Sequence, residues 1–200
     1  MFARRFATAL CFTVLVAGGA IAQQQEQKAP DMATMMKEFA KWSAPGDAHK
    51  NLEKLAGTWT TTQRMWMDPS GQPMESKGTA EFHMGLGGRF LMQSYKGDFM
   101  GMPFEGMGTV GYDNFKKVYT SAWADNMGTA MMIAEGTANT AGSEISLSGT
   151  MDEPMTGEKN KKFREVMKLQ GPDQFTFEMY DTIPGKGEVK VMEIVHTRSK

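Results

Sequence analysis

The sequence predicts an all-β protein, a single antiparallel up-and-down barrel of about ten strands with a short helical segment before it. From Gly57 onward, β-branched and aromatic residues alternate with polar ones, and Gly, Pro, Asn and Asp separate the runs. The connections are short enough for hairpins, and no stretch fits the helix of a parallel crossover. Consecutive strands are therefore expected to pair antiparallel.

Within the predicted strands, every second residue should face the same side of the sheet. Phe175, Phe177 and Met179 share one face in this way. A closed barrel is favoured over a sandwich because closure leaves no strand edge exposed. The strands are predicted near residues 57–67, 76–84, 89–97, 104–112, 116–124, 128–138, 143–151, 160–170, 173–182 and 187–198.

The first 22 residues have the three parts of a signal peptide. Arg4 and Arg5 give a positive start, an apolar run follows, and Ala20-Ile21-Ala22 is an A-x-A cleavage site. The run is too short to span a bilayer comfortably, and no second run follows, so an uncleaved anchor is disfavoured. We expect cleavage after Ala22, no transmembrane segment in the mature chain, and a periplasmic or secreted protein.

Composition excludes several classes of function. The only cysteine, Cys11, lies inside the signal, so the mature chain has no disulfide, thiolate metal site or cysteine nucleophile. With Arg4 and Arg5 removed, 20 of the 22 basic residues remain against 23 acidic ones, which argues against nucleic acid as a partner. The densest basic group, residues 159–162, is interpreted as a solvated loop.

Residues 23–46 are predicted to be a linker that contains an amphipathic helix. Asp31 can cap this helix, and its apolar residues fall at helical spacing: Met32, Met35, Met36, Phe39 and Trp42. Such a face must cover something, and the nearest candidate is a barrel mouth; the alternative is docking on a partner or lipid surface in the cell envelope. Asp47 is expected to cap a second short helix that opens the barrel domain, residues 47–200.

Five short segments of the barrel domain carry a recognisable pattern. They are H-x-x-L-x-x-L-x-G-x-W at 49–59, L-G-G-R-F at 86–90, G-Y-D at 111–113, W-x-D followed by G-T at 123–129, and M-E-I followed by T-R at 192–198. Together they resemble a secreted bacterial family, domain of unknown function 1579, within the calycin-like or lipocalin-like β-barrels. The resemblance covers residues 47–200 and implies a barrel with an interior cavity, without an established activity.

The resemblance also implies a structural role for Trp59 and Arg198. In calycins, a Trp on the first strand packs under a basic residue of the last strand and closes one end of the barrel, a contact that cation–π attraction explains. The sequence departs from the family pattern at His196, where an aromatic residue such as Tyr is expected.

The candidate ligand-binding residues face the predicted lumen. Glu165 shares its strand face with Phe163 and Met167, so its carboxylate needs a partner or a raised pKa. Arg164 lies on the opposite face, so a donor from another strand is required. Glu193 poses the same question between two valines. The predicted ligand-binding residues are Trp123, Glu165, Met167, Phe177, Met179 and Glu193.

The leading hypothesis is a non-enzymatic barrel that binds a small apolar or amphipathic molecule. An enzyme using Glu165 or Glu193 as acid or base is a weaker alternative. His196 allows a haem ligand, although a packed or rim histidine is the commoner explanation. The many methionines could bind Cu(I), but their spacing along the chain implies no single cluster, and an adaptable apolar cavity explains them more simply. No cofactor can be named from the sequence.

We expect the mature protein to begin at Gln23 and to lie outside the cytoplasm. Mass spectrometry of the N-terminal peptide from fractionated cells measures both. A variant with Ala20→Phe and Ala22→Phe, which removes the small residues of the cleavage site, should stay uncleaved. Finding the full-length chain in the cytoplasm or anchored in the membrane would contradict the expectation.

Overall fold

The computed structural model describes residues 31–200. The predicted signal and the spacer at 23–30 lie outside the described residues. Two helices, α1 (Met32–Ser43) and α2 (Asp47–Glu53), precede ten strands. The strands are β1 (Gly57–Met65), β2 (Met74–Gly85), β3 (Phe90–Phe99), β4 (Met102–Asp113), β5 (Val118–Asp125), β6 (Met132–Ala138), β7 (Glu144–Glu153), β8 (Glu158–Leu169), β9 (Gln174–Ile183) and β10 (Gly187–Arg198).

The strands form one closed barrel in which each strand pairs antiparallel with its neighbours along the chain, and β10 pairs with β1. The predicted up-and-down barrel is thereby confirmed. The largest difference in strand bounds is at β6, which begins at Met132 and not at 128. The preceding loop is held to β4 instead, because Asn126 donates from its backbone to Glu105 O and from its side chain to Pro103 O.

The densest aromatic packing of the hydrophobic core lies in the half of the barrel nearest α2. Phe175 is at its centre, with ring centroids 4.8 Å from Trp59 and 5.6 Å from Phe82 in edge-to-face geometry. Leu52 on α2 and Leu55, which follows the helix, add two further buried side chains. Edge-to-face contacts of this kind stabilise the fold beyond the free energy gained from burial. Because these side chains fill the space inside the strands, packing seals this end of the barrel.

Arg198 and Trp59 join the last strand to the first at the sealed end. Their Cα atoms are direct partners across the β1–β10 pair, and the guanidinium carbon lies 4.1 Å from the centroid of the Trp59 ring. The guanidinium also donates to the carbonyl oxygens of Lys54, Ala56 and Pro172 at 2.8–2.9 Å. The contact therefore ties the α2–β1 junction and the β8–β9 turn to one side chain.

Gly57 makes this arrangement possible. Its φ is +135°, and a Cβ at this position would lie 2.4 Å from Arg198 Nη1. A side chain at 57 would thus displace the guanidinium and would also strain the backbone.

The helices differ in part from the prediction. Asp31 is the N-cap of α1, and its carboxylate accepts from Thr34 N at 2.9 Å as expected. The N-cap of α2 is Gly46 and not Asp47, since the backbone N–H of Gly46 donates to His49 Nδ1 at 3.0 Å. The His49 side chain, in the first turn of α2, thus accepts the hydrogen bond of the N-cap backbone N–H. Asp47 is therefore the first residue of the helix and not its cap.

The prediction that α1 covers the barrel mouth is wrong. None of its residues is buried, and its apolar face is exposed. Its contacts with the barrel lie at its C-terminal end, where Trp42 packs edge-to-face on Phe115 at 5.2 Å and Asn114 donates to two backbone carbonyl oxygens, those of Trp42 and Ala44. Within residues 31–200, no helix is long and apolar enough to cross a membrane.

The Arg198–Trp59 contact predicts non-additive losses of stability. Trp59→Ala should lower the free energy of unfolding by about 3–5 kcal/mol, because it empties a packed site. Arg198→Ala should also destabilise, and the double mutant should lose less than the sum of the two by about 0.5–3 kcal/mol. Urea denaturation measures all four proteins.

Arg164→Ala is the matched control for this cycle. Arg164 makes a similar contact with Tyr180, at 4.2 Å, on the outer surface, away from Trp59. Combined with Trp59→Ala, its loss should be additive. Additive losses for Trp59 and Arg198 as well would show that their contact contributes nothing to closure.

Candidate functional site

The two halves of the lumen differ in how tightly their side chains pack. Several inward side chains toward the end opposite α2 remain partly exposed, beside buried ones such as Tyr95 and Phe163. Because a closed sheet surrounds these side chains, the space that exposes them lies inside the barrel or at its mouth. The lumen is therefore less completely filled toward the end opposite α2. The partly exposed inward residues are Gln93, Phe104, Trp123, Met132, Met151, Phe177, Met192 and Ile194.

Glu165 lies on the inner face of β8, with Leu147 and Met179 as its cross-strand partners. Its side chain is buried, at 6% exposure, and Ser121 Oγ donates to its Oε2 at 3.0 Å. Burial raises the pKa of the Glu165 carboxyl, and the Ser121 hydrogen bond offsets this only in part. The sequence predicted an inward carboxyl that needs a hydrogen-bond donor from another strand, and Ser121 on β5 is that donor.

The second carboxyl oxygen of Glu165 has no hydrogen-bond partner within residues 31–200. It is nevertheless not sealed off, because the sealed and unpartnered side-chain polar atoms there are Asp181 Oδ1 and His196 Nε2. The Glu165 Oε1 atom therefore reaches the space of the lumen.

Ser121 comes from β5, three strands away from β8 around the barrel. Its inward neighbours on β6 and β7 are Ala134 and then Gly149, which are too small to stand between the two side chains. A Cβ on Gly149 would lie 2.2 Å from Ile133 O, so a larger residue does not fit there. Sequence reasoning missed Ser121, since strand alternation does not show which side chains meet across a lumen.

Trp123 lies flat against the inner wall beside this pair. Its ring covers Gly106 and Gly108 on β4, where a Cβ would lie 2.1 Å and 2.9 Å from ring atoms. Its Nε1 donates to Asp125 Oδ2 at 2.9 Å, which fixes the ring orientation. Trp123 thus presents one apolar face to the lumen.

The other predicted ligand-binding residues divide into two groups. Phe177 and Met179 lie on the inner face of β9, Phe177 half-buried and Met179 9% exposed and opposite Glu165. Met167 is inward but packed into the sealed half, 6% exposed, beside Ile145. The structure therefore brings Trp123, Glu165, Phe177 and Met179 to one lumen.

The prediction that Glu193 faces the lumen is wrong. Its neighbours Met192 and Ile194 point inward, so alternation places Glu193 on the outer surface of β10. There it is paired with Arg64, 3.3 Å away, and with Lys190. These two cations, and not a ligand, satisfy its carboxylate.

Lys161 corrects the interpretation of residues 159–162 as a solvated loop. Its Cα partner is the inward residue Met151, its side chain is 14% exposed, and it forms an ion pair with Asp181. Strand β8 begins at Glu158, so alternation already applies at Lys161. The lumen near its mouth thus contains one buried ion pair.

His196 is packed and does not fit a haem. The ring is 2% exposed and stacked on Phe175 at 3.9 Å, with Trp59 and Phe82 around it. Its Nδ1 lies 3.2 Å from Ile194 O, and since a carbonyl only accepts, Nδ1 carries the proton. A metal-bound macrocycle would need the space that these aromatic rings occupy. Burial lowers the pKa of His196 to about 3.

Two cavities open at the ends of the barrel. The larger, about 480 Å³, lies outside Trp59, and its polar side chains Asn51, Lys54 and Arg198 are already bonded to protein groups. The smaller, about 180 Å³, lies at the open mouth, where Gln63 and Met65 line it. Of the two, the smaller cavity leads toward the lumen.

Comparison with known proteins gives a family and a fold. The family model described as a protein of unknown function (DUF1579) matches residues 44–198. None of the curated proteins matches the chain significantly.

Among the solved structures that are similar to the chain, two align over nearly all of their own length. Rv2717c from M. tuberculosis aligns with a TM-score of 0.56 and 16% identity, over 78% of this chain and all of its own. The S-type phycobiliprotein lyase CPES from Guillardia theta aligns with a TM-score of 0.52 and 12% identity, over 86% of this chain and 99% of its own. At these identities the likeness shows the fold alone.

The buried imidazole of His196 predicts a loss of stability in acid. Its pKa is lowered to about 3 in the folded chain, so folding favours the neutral ring. The stabilisation is fully present above the unfolded pKa of about 6.5 and is lost as pH falls toward 3. The loss should be at most about 5 kcal/mol, since a pKa difference of one is worth about 1.4 kcal/mol.

Urea denaturation between pH 7 and pH 4 measures this dependence. His196→Phe, which keeps an aromatic ring on Phe175, should flatten the pH profile. His83→Phe, the same change at an exposed position of β2, should leave it as in the wild type. A profile unaltered by His196→Phe would show that other groups cause the acid loss.

Proposed function

The chain belongs to the DUF1579 family, and we propose that it is an exported barrel that binds a small apolar or amphipathic molecule in its lumen without transforming it. The observation that carries the proposal is the half-bonded carboxyl of Glu165. One oxygen accepts from Ser121, and the other reaches an apolar lumen with no protein partner within residues 31–200.

A carboxyl oxygen that reaches the lumen without a protein partner within residues 31–200 can hydrogen-bond a ligand there. Burial raises the pKa of the Glu165 carboxyl. A hydroxyl both donates and accepts hydrogen bonds, so it is the polar group that fits this carboxyl in either protonation state.

The rest of the lumen favours an apolar body for the ligand. Trp123 offers a ring face, and Phe177 and Ile194 are partly exposed on the opposite side of the lumen. Methionines line the mouth cavity, and their flexible side chains can move aside for a ligand larger than its 180 Å³. Few polar groups among many apolar ones is the usual composition of a small-molecule pocket.

Catalysis is not favoured by the same geometry. A serine beside a carboxyl needs a base to activate the hydroxyl, and histidine is the usual one. His49 and His196 lie at the sealed end, and His83 is exposed on the barrel exterior. No histidine within residues 31–200 therefore hydrogen-bonds Ser121 or Glu165. This geometry supports a binding role for the lumen over a catalytic relay.

Displacement of the fluorescent dye N-phenyl-1-naphthylamine tests the proposal. The dye should bind the purified protein saturably, and 1-decanol should displace it more effectively than decane. Glu165→Leu should abolish the preference for decanol, about 5–10-fold for one neutral hydrogen bond, while dye binding persists.

Two variants complete the test. Trp123→Ala should weaken dye binding itself, because it removes the apolar wall. Glu135→Leu, an exposed carboxylate on β6, is the matched control and should change neither quantity. Absence of saturable dye binding, or equal behaviour of Glu165→Leu and Glu135→Leu, would refute a lumenal site anchored on Glu165.

A further inference from the structure

Four methionines form one continuous row on the inner face of the open half. Met65 on β1 is directly opposite Met74 on β2 and Met192 on β10, and Met192 is opposite Met179 on β9. The four residues thus occupy four adjacent strands without a gap. Along the chain they are far apart, and sequence spacing implied no single methionine cluster; strand register corrects that expectation.

The row points into the lumen. Met65 follows the inward residues Thr61 and Gln63 by alternation, and Met65 and Met74 line the mouth cavity together. Met179 belongs to the buried core, and Met192 packs against it. Exposure falls along the row from 40% at Met74 to 9% at Met179. The row therefore leads from the rim into the lumen.

The geometry allows neighbouring sulfur atoms to meet. Directly opposite residues have Cβ atoms about 4.5–5.5 Å apart. The inner face of a barrel is concave, so side chains from adjacent strands converge, and methionine has three rotatable bonds with which to adjust. Three adjacent thioethers can then surround a single point.

We propose that Met65, Met192 and Met179, with Met74 at the entrance, bind one soft monovalent metal ion, Cu(I), through their thioether sulfurs. Thioethers are neutral, soft ligands that select Cu(I) over hard cations. Within residues 31–200, no group of three or more His, Cys, Asp or Glu could hold a metal ion, so a competing zinc-type site is absent from the described part.

Charge around the row favours a cation. Glu75 and Asp98 line the same mouth cavity as Met65 and Met74. Carboxylates at a mouth raise the local concentration of cations.

Substitution by leucine distinguishes a metal-binding role of the methionine row from a role as apolar lining. Leucine keeps the apolar character and nearly the volume of methionine but has no sulfur. If the row only lines the lumen, substitution by leucine changes no metal affinity. The inference does not depend on the proposed function, because the dye should still bind a leucine-substituted lumen.

Titration of the purified full chain with Ag(I), a redox-stable probe for the same ligands, and with Cu(I) under anaerobic competition with a chelator, tests the proposal. The wild type should bind one equivalent tightly. The double variant Met65→Leu/Met192→Leu should bind at least tenfold more weakly, with its circular dichroism unchanged.

The matched control is Met127→Leu/Met155→Leu, two exposed methionines in loops at the same end. It should bind like the wild type. In methyl NMR, one equivalent of Ag(I) should shift the ε-methyl signals of Met65, Met179 and Met192 and leave those of Met127 and Met155 in place.

Two results would overturn the proposal. One is equal affinity in the row variant and the control. The other is weak binding of several equivalents with shifts of the exposed methionines, which is adventitious thioether binding only. Dye binding measured on the same row variant reports separately whether the lumen is still intact.

Discussion

The stacking of Arg198 on Trp59 is the contact on which the rest of the barrel depends, because it joins the last strand to the first where the sheet must close. The guanidinium does three things at once: it covers the indole face, it satisfies carbonyl groups of two separate turns, and it requires glycine at position 57. A lysine could not replace it, since a single ammonium group lacks the planar fork that reaches several carbonyls. Closure also removes the last free strand edge, so the same contact protects the sheet from pairing with other chains.

Sealing one end by packing leaves the other end free for a different use. Near α2, the rings of Phe175, Phe82 and His196 fill the lumen. Toward the open mouth, outer ion pairs such as those of Glu193 add to strand pairing, and several inward side chains remain partly exposed. Space and adaptable methionines can therefore occur inside a barrel whose closed half keeps it folded.

Much of the candidate site could be predicted where the relevant rule is local. Alternation along β8 was sufficient to place Glu165 in an apolar lumen, and alternation along β9 placed Phe177 and Met179. The same rule also applies to Glu193, but the prediction was wrong because the valines on its face were taken as a sign of burial. Its chain neighbours Met192 and Ile194 lie on the inner face, so Glu193 lies on the outer one. Ser121 could not have been found, since the hydrogen bond to Glu165 crosses the lumen between strands that are not neighbours.

The sequence by itself determined the number and approximate bounds of the ten strands and which residues of each strand share a face, because a period of two is a property of a single strand. It also determined the cap of α1, which involves residues three apart. Only the tertiary structure decided which residues stand opposite one another around the barrel: the pairing of Met65 with Met74 and Met192, the meeting of Ser121 with Glu165, and the enclosure of His196 by aromatic rings. Register and curvature are properties of the closed sheet as a whole, so no pattern within one segment of the chain specifies them.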